Sequence, residues 1–478
     1  MLFNSLSFAL FFPVVLFLYW IIARNSLRLQ NIILLISSLY FYACWDYRFV
    51  FLLIFSIALD YYTGLKMGNS KNQATRKFWL VLSIAINLSF LGVLKYYNFF
   101  AESFAEGLSL LGMSVNPHTL NLVLPVGISF YTFHGLSYVI DIYKERIKPE
   151  KDLIDYAVFV SFFPLLVAGP IERATHLLPQ IQKKRVFSYA QASDGLRQIL
   201  WGLFKKIVIA DNCAELANLA FNNHESYGGS TLLLGAFFFA MQIYGDFSGY
   251  SDIALGVARI MGIELLRNFS YPYFSRDIAE FWRRWHISLS SWFRDYVYFP
   301  LGGSRGGTWL KVRNTFIIFL LSGFWHGANW TFLAWGALNA IYFLPLLLSK
   351  SNRENLEIVA KGRLLPTVSD VFHMLITFTM TVFAWILFRA ENIKHAFEYI
   401  SEIFSASIFT TPELVRKDLL LLIAAFFLVE WLGREHPYAI ARFGFNWPKP
   451  VKWGFYYCLV IAIFVFTGKQ QQFIYFQF

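Results

Sequence analysis

The chain has 478 residues, of which 57% are hydrophobic and only 15% charged, and its mean hydropathy is +0.49. Soluble domains run near a quarter charged, so this balance excludes an ordinary water-soluble globular fold. The formal net charge of +11 suits cytoplasmic loops facing anionic lipid headgroups better than nucleic acid, because no basic stretch sits in a soluble domain.

A helix needs about 20 apolar residues to cross the bilayer. In chain order, apolar stretches occupy 3–23, 30–46, 49–66, 78–100, 121–140, 153–170, 196–221, 231–261, 314–349 (long enough for two), 368–390, 418–433 and 451–468. They predict an all-α polytopic membrane protein with about 11 spans, some of them re-entrant or tilted. The first run, Leu6 to Ile22, is too long for a signal-peptide core and lacks a basic leader, so it is expected to be a retained helix. Pro125, Gly127 and Gly135 interrupt the fifth stretch, and Pro164, Gly169 and Pro170 the sixth. Broken helices at membrane depth are tolerated only inside protein or beside a cavity. Arg24 and Arg28 follow the first stretch and Lys66, Lys71, Arg76 and Lys77 the third, while Asp46 and Arg48 nearly cancel. The positive-inside rule then places the amino terminus outside, with those two loops, 144–151 and 173–185 in the cytoplasm. Residues 350–366 are polar and read as an ordinary surface loop. Cys44, Cys213 and Cys458 are too dispersed for a disulfide framework or a metal site. The chain has no G-x-x-x-x-G-K-[ST] loop, which argues against an ATP-driven transporter.

Three stretches carry chemistry. Residues 268–313 are too polar to cross lipid and too aromatic for a solvated loop. Phe281, Trp285, Trp292 and Tyr296 recur near helical spacing beside Arg283, Arg284 and Arg294, which predicts an interfacial amphipathic helix. It is an anchor, or it is the rim of a site. Within it His286 follows Trp285, in a setting where a histidine is often a packing residue. The second stretch, Ser322 to Trp330, places His326 between Trp325 and Gly327 in an apolar span. An intramembrane imidazole facing a cavity is suited to general-base work; bonded to a neighbouring helix it is structural glue. Gly323 and Gly327 are spaced for close helix packing and would leave room for a thin substrate. The third stretch, Tyr244 to Asp252, places Asp246 and Asp252 in an apolar span, where they orient a catalytic group, line a cavity, or pair with an intramembrane arginine such as Arg259.

These runs, YGDFSGYSDIALG from 244, FWRRWHISLSSWFRDYVYFPLGGSR from 281 and GFWHGANW from 323, resemble the membrane-bound O-acyltransferase (MBOAT) family. The resemblance is nearer to its bacterial alginate O-acetylase (AlgI-like) branch and more distant to the D-alanyl transfer protein DltB. The terminal FIYFQF at 473–478 also looks like this branch, and the similarity covers essentially the whole chain. It implies one transmembrane domain over 1–478, with amino-terminal helices to 267, a core over 268–349 and carboxy-terminal helices from 350. It implies a fold of helices around a central tunnel, in the bacterial inner membrane. It implies that His326 is catalytic, as base or brief acyl carrier, and that His286 lies across the same tunnel. The donor is then acetyl-CoA, a substrate rather than a permanent cofactor, with no metal required. The acceptor is a periplasmic or extracellular protein or polysaccharide, and membrane lipids are the remaining partners. Arg283, Arg284 and Arg294 are candidates for the donor phosphates or for lipid headgroups. Asp246, Asp252, Trp285, Trp325 and Asn329 are candidates to line or orient the cavity, and His286 or Asn329 to donate to a developing oxyanion. Two further readings stand beside this one: a proton-coupled transporter or flippase using Asp246, Asp252 and His326, and a non-enzymatic membrane scaffold of polysaccharide export.

Overall fold

The computed structural model describes residues 1–469 and 471–474, and every regular element among them is helical. Residues 475–478 of the terminal FIYFQF run lie outside the described residues. Five helices are long and apolar enough to cross a membrane: Arg48–Asn69, Gln73–Leu110, Gly229–Ile260, Trp330–Leu348 and Val368–Arg389. Other apolar stretches fold as shorter or interrupted helices, among them Leu6–Ile22 and Leu27–Ala43. The chain forms two compact units.

The first unit comprises residues 1–193 and 257–266. It contains α1 (Leu6–Phe17), α2 (Leu27–Ala43), α3 (Arg48–Asn69), α4 (Gln73–Leu91), α5 (Tyr97–Leu110), α6 (Ile128–Tyr143), α7 (Leu153–Ser161), α8 (Phe163–Leu166) and α9 (Ala174–Ile181). Serine and asparagine caps start three of them: the side chains of Ser5, Ser26 and Asn72 accept the amides of Phe8, Leu29 and Ala74, satisfying donors that a helix cannot satisfy itself. The interruption expected in 121–140 is present, since α6 begins only at Ile128, after Gly127 at φ +77°. A side chain at Gly127 would also meet the Leu166 carbonyl oxygen at 1.9 Å. The sixth stretch breaks at Phe162, where α7 ends and the Pro164-bearing α8 begins. Asp60 of α3 is buried and accepts from Ser83 and Asn87 of α4 at 2.6 and 2.8 Å, so its carboxyl group finds its partners in side chains instead of water.

The second unit comprises residues 194–256 and 267–478. It holds most of α10 (Tyr189–Leu203) and α12 (Gly229–Ile260). It also contains α11 (Asp211–Asn222), α13 (Ile278–Arg284), α14 (Ile287–Phe293), α15 (Thr308–His326), α16 (Trp330–Leu348), α17 (Val368–Arg389), α18 (Ile393–Ile403), α19 (Lys417–Gly433) and α20 (Lys449–Val465). Its core is aromatic, with Trp201, Trp285, Trp335, Trp385 and Phe426 all buried. The 314–349 stretch folds as the hairpin α15–α16. Here glycines meet backbone: a Cβ on Gly323 would lie 2.2 Å from the Phe332 carbonyl oxygen, and one on Gly336 would lie 2.4 Å from that of Phe319. The predicted close packing is therefore present. The room expected beside His326 is not on this glycine face, because a Cβ on Gly327 would meet the Phe332 ring at 2.1 Å.

Residues 350–366 form the irregular, mostly exposed loop expected from their polarity, and arginines elsewhere in the chain hold it. Arg283 donates to the carbonyls of Asn352 and Asn355, Arg276 to that of Glu357, and Arg434 to those of Val359 and Ala360. An irregular segment lacks the internal partners of a helix, and these guanidiniums supply them.

Candidate active site

The site is built around an elbow. Asp277 caps α13, its carboxylate accepting the Glu280 amide at 2.6 Å. The helix ends at Arg284, Trp285 is extended, His286 adopts φ 44° and ψ 55°, and α14 starts at Ile287. A left-handed non-glycine residue is uncommon and persists only where its surroundings over-determine it. They do so here. The Ile287 amide donates to the Asn268 carbonyl at 2.9 Å, and the Ser288 hydroxyl donates to the Asn268 side chain at 2.6 Å. Asn268 in turn donates to Ser251 of α12 at 3.0 Å. The expected single amphipathic helix is thus corrected to two helices joined at His286. Its aromatics do not face lipid either: Phe281, Trp285, Trp292 and Tyr296 are all buried. Phe281 stacks on Trp285 at 5.5 Å, and Trp285 meets Trp385 at 4.9 Å.

His326 is the last residue of α15, and His286 is presented to it by the elbow. Their ring centres lie 6.4 Å apart, and both are buried. His286 meets Phe247 edge-on at 4.6 Å; His326 meets Trp335 at 5.3 Å and Phe388 at 5.2 Å. Trp325 sits behind the pair, 5.9 Å from His286 and 4.9 Å from His326. Both histidines line one cavity of about 240 Å³, together with Trp285, Ser290 and Ser322. Its rim carries Arg294, Tyr298, Ser304, Asn352 and Arg353.

Other candidates fall elsewhere. Arg284 is buried against Glu280, at 2.7 Å, and Arg283 is held by the carbonyls of the 350–366 segment. Neither lines the cavity. Asn329 is the cap of α16: its side chain accepts the Thr331 amide at 3.0 Å and donates to the Glu391 carbonyl at 2.8 Å. It is committed to local structure rather than to an oxyanion. The partner expected for the aspartates is corrected as well. Arg259 pairs with Glu264 at 3.1 Å. Asp252 pairs with Lys205 at 2.5 Å, and Asp246 with Lys206 at 2.8 Å. Asp252 faces a separate small pocket with Lys205 and Glu430.

Arg353 and the two lysines escaped the sequence reading. Lys205 and Lys206 form a conspicuous doublet inside the apolar stretch 196–221, and an intramembrane charge on one helix calls for a counter-charge on another.

A model of the membrane-bound O-acyltransferase family matches residues 144–389. The chain is 39% identical to the probable alginate O-acetylase AlgI of Pseudomonas aeruginosa over 423 residues, which is 88% of this chain and 78% of the relative. It is 36% identical to the peptidoglycan O-acetyltransferase of Helicobacter pylori, over 84% of this chain and 79% of that one. The teichoic acid D-alanyltransferase of Bacillus subtilis is 30% identical over 58% of this chain and 71% of its own.

Proposed function

Because this chain belongs to the membrane-bound O-acyltransferase family, in its AlgI-like branch, we propose that it moves an acetyl group from cytoplasmic acetyl-CoA toward O-acetylation of a cell-surface or exported polysaccharide. The protein is a multi-pass acyltransferase of the bacterial inner membrane. The observation that carries the proposal is the meeting of His286 and His326 in one cavity, with ring centres 6.4 Å apart.

The acyl group enters the cavity that both rings line. An acceptor hydroxyl, of a polysaccharide or of a periplasmic acetyl-accepting protein, attacks the thioester carbonyl. His326 takes the hydroxyl proton as the new C–O bond forms, since an alcohol is a poor nucleophile until its proton leaves. The C–S bond then breaks, and the proton passes from His326 to the departing sulfur, giving free CoA thiol. His286 donates to the oxyanion during the tetrahedral stage, where a preorganised donor is worth about 10²–10³ in rate. Arg294, at the rim, faces the donor phosphates. Arg283 and Arg284 serve this site indirectly, through the elements they hold together. The aspartates that would have coupled a transporter to protons are each bound to a lysine, which weakens that alternative.

The test is transfer from radiolabelled acetyl-CoA in membranes carrying the wild type, His326→Ala or His286→Ala at matched expression. The wild type should label a protein or glycan, and His326→Ala should lose at least about 10³-fold of that rate. His286→Ala should lose about 10²-fold. A fully active His326→Ala, or a wild type that moves no label, defeats the assignment.

A further inference from the structure

The arginines near the cavity differ in what they are free to bind. Arg284 gives Glu280 two hydrogen bonds, at 2.7 and 3.1 Å. Arg283 gives both terminal nitrogens to the carbonyls of Asn352 and Asn355, each at 2.8 Å. Arg276 reaches the Glu357 carbonyl at 2.7 Å, and Asn355 donates to Asp277 at 2.7 Å. Residues 352–360 are therefore a strap, fixed from beneath through its own carbonyls. Arg353 also lies on this strap. It is exposed, lines the cavity rim beside Asn352, and forms no ion pair among the described residues. Arg294, which follows the last residue of α14, lines the same cavity. Its partner there is its neighbour Asp295, at 2.8 Å. An exposed pair of this kind contributes little and exchanges readily for a better anion.

We propose that Arg353, together with Arg294, recognises the diphosphate of the acyl donor. This rests on the acyl-CoA reading above and names the residues that set its donor specificity. A cavity of about 240 Å³ admits a slender thioester arm but not a nucleotide. The phosphates must then stay outside it, at the exposed lining that carries these two guanidiniums. Guanidinium matches phosphate oxygens bidentately, which ammonium cannot do. The strap's anchoring lowers the ordering that binding would otherwise require.

The test uses the full-length protein in phosphatidylcholine nanodiscs with acceptor supplied, measuring radiolabelled CoA binding and transfer from acetyl-CoA and acetyl-pantetheine. Arg353→Ala should raise the KM for acetyl-CoA about tenfold at unchanged kcat, the size of one lost charged hydrogen-bond partner. With acetyl-pantetheine, which lacks the diphosphate, its effect should shrink to under about twofold. Arg353→Lys should fall between, and Lys361→Ala, which removes an exposed pair with Glu357 of the strap, should match the wild type. A wild-type KM in Arg353→Ala, or an equal loss with both donors, overturns the proposal and leaves the acyl-CoA reading standing. An effect seen only in the dependence on added phosphatidylglycerol assigns Arg353 to a lipid phosphate and also overturns it. A wild type that neither binds CoA nor turns over either thioester removes both readings together.

Discussion

His286 reaches the cavity because its backbone is held in the left-handed region at φ 44°, so its side chain and its main chain are separable variables. His286→Asn should preserve the elbow, since asparagine tolerates this conformation, while activity falls. His286→Val should lose fold and activity together, read as a lower unfolding midpoint in detergent. The ion pairs make a second prediction at this scale. Lys205→Met leaves the Asp252 carboxylate without its cation, with the neutral Gln198 amide at 2.8 Å remaining, and should cost up to about 3–5 kcal/mol, the cost typical of breaking a buried pair from one side. Lys205→Met with Asp252→Asn should recover most of it; a double variant no more stable than the single one would argue against the pairing. His286 and His326 were legible in the sequence because each sits in a long tryptophan-rich motif. Lys205 and Lys206 were not, because a window averaged for hydropathy absorbs two lysines among apolar neighbours. The same averaging made Arg259 look like the available cation, although Glu264 lies just beyond the helix end and satisfies it first.

At the scale of elements, the α15–α16 hairpin sets where His326 stands. Its glycines meet carbonyl oxygens at 2.2 and 2.4 Å from an added Cβ, and backbone cannot step aside as a flexible side chain can. Gly323→Ala should therefore destabilise by about 1–3 kcal/mol through overpacking and lower transfer by displacing His326. Thermal unfolding in detergent, measured beside turnover, checks both. The G-x-x-x-G spacing announced this packing. The break between α13 and α14 had no such signal: neither glycine nor proline stands at 284–287, and the elbow is imposed by Asn268 from outside the segment. Aromatic spacing alone cannot distinguish a stripe facing lipid from one facing Trp385, which is why these four side chains read as lipid-facing. The strap is a comparable case. Its own residues are polar and unremarkable, and the order comes from Arg276, Arg283 and Arg434. Arg434→Ala should make trypsin cut faster at Lys361 and Arg363, and an unchanged cleavage rate would show that the remaining arginines suffice.

For the whole molecule, composition and charge settled the class at once: all-helical, lipid-embedded and multi-pass. The number of crossings was harder to read, because stretches broken at Gly127 and Phe162 are apolar enough for the bilayer but do not form long helices. Orientation is testable directly. A cysteine at Arg353→Cys, with Cys44 and Cys458 replaced and only the buried Cys213 kept, should react with an impermeant maleimide in inverted vesicles and not in spheroplasts. The reverse pattern would place the cavity rim on the wrong side for a cytoplasmic donor. The lysine–aspartate pairs bear finally on how the chain is made. Lys205 and Lys206 precede α12, and Asp246 and Asp252 lie within it, so the opposite charges emerge from the ribosome in consecutive apolar stretches. Each charge entering the bilayer alone would cost about 2.5–3.5 kcal/mol at the translocon. Entering together as a hairpin, the two stretches neutralise one another before either meets lipid, so biogenesis of this region is a joint event, and a variant lacking one partner should accumulate in the membrane in smaller amount than the wild type.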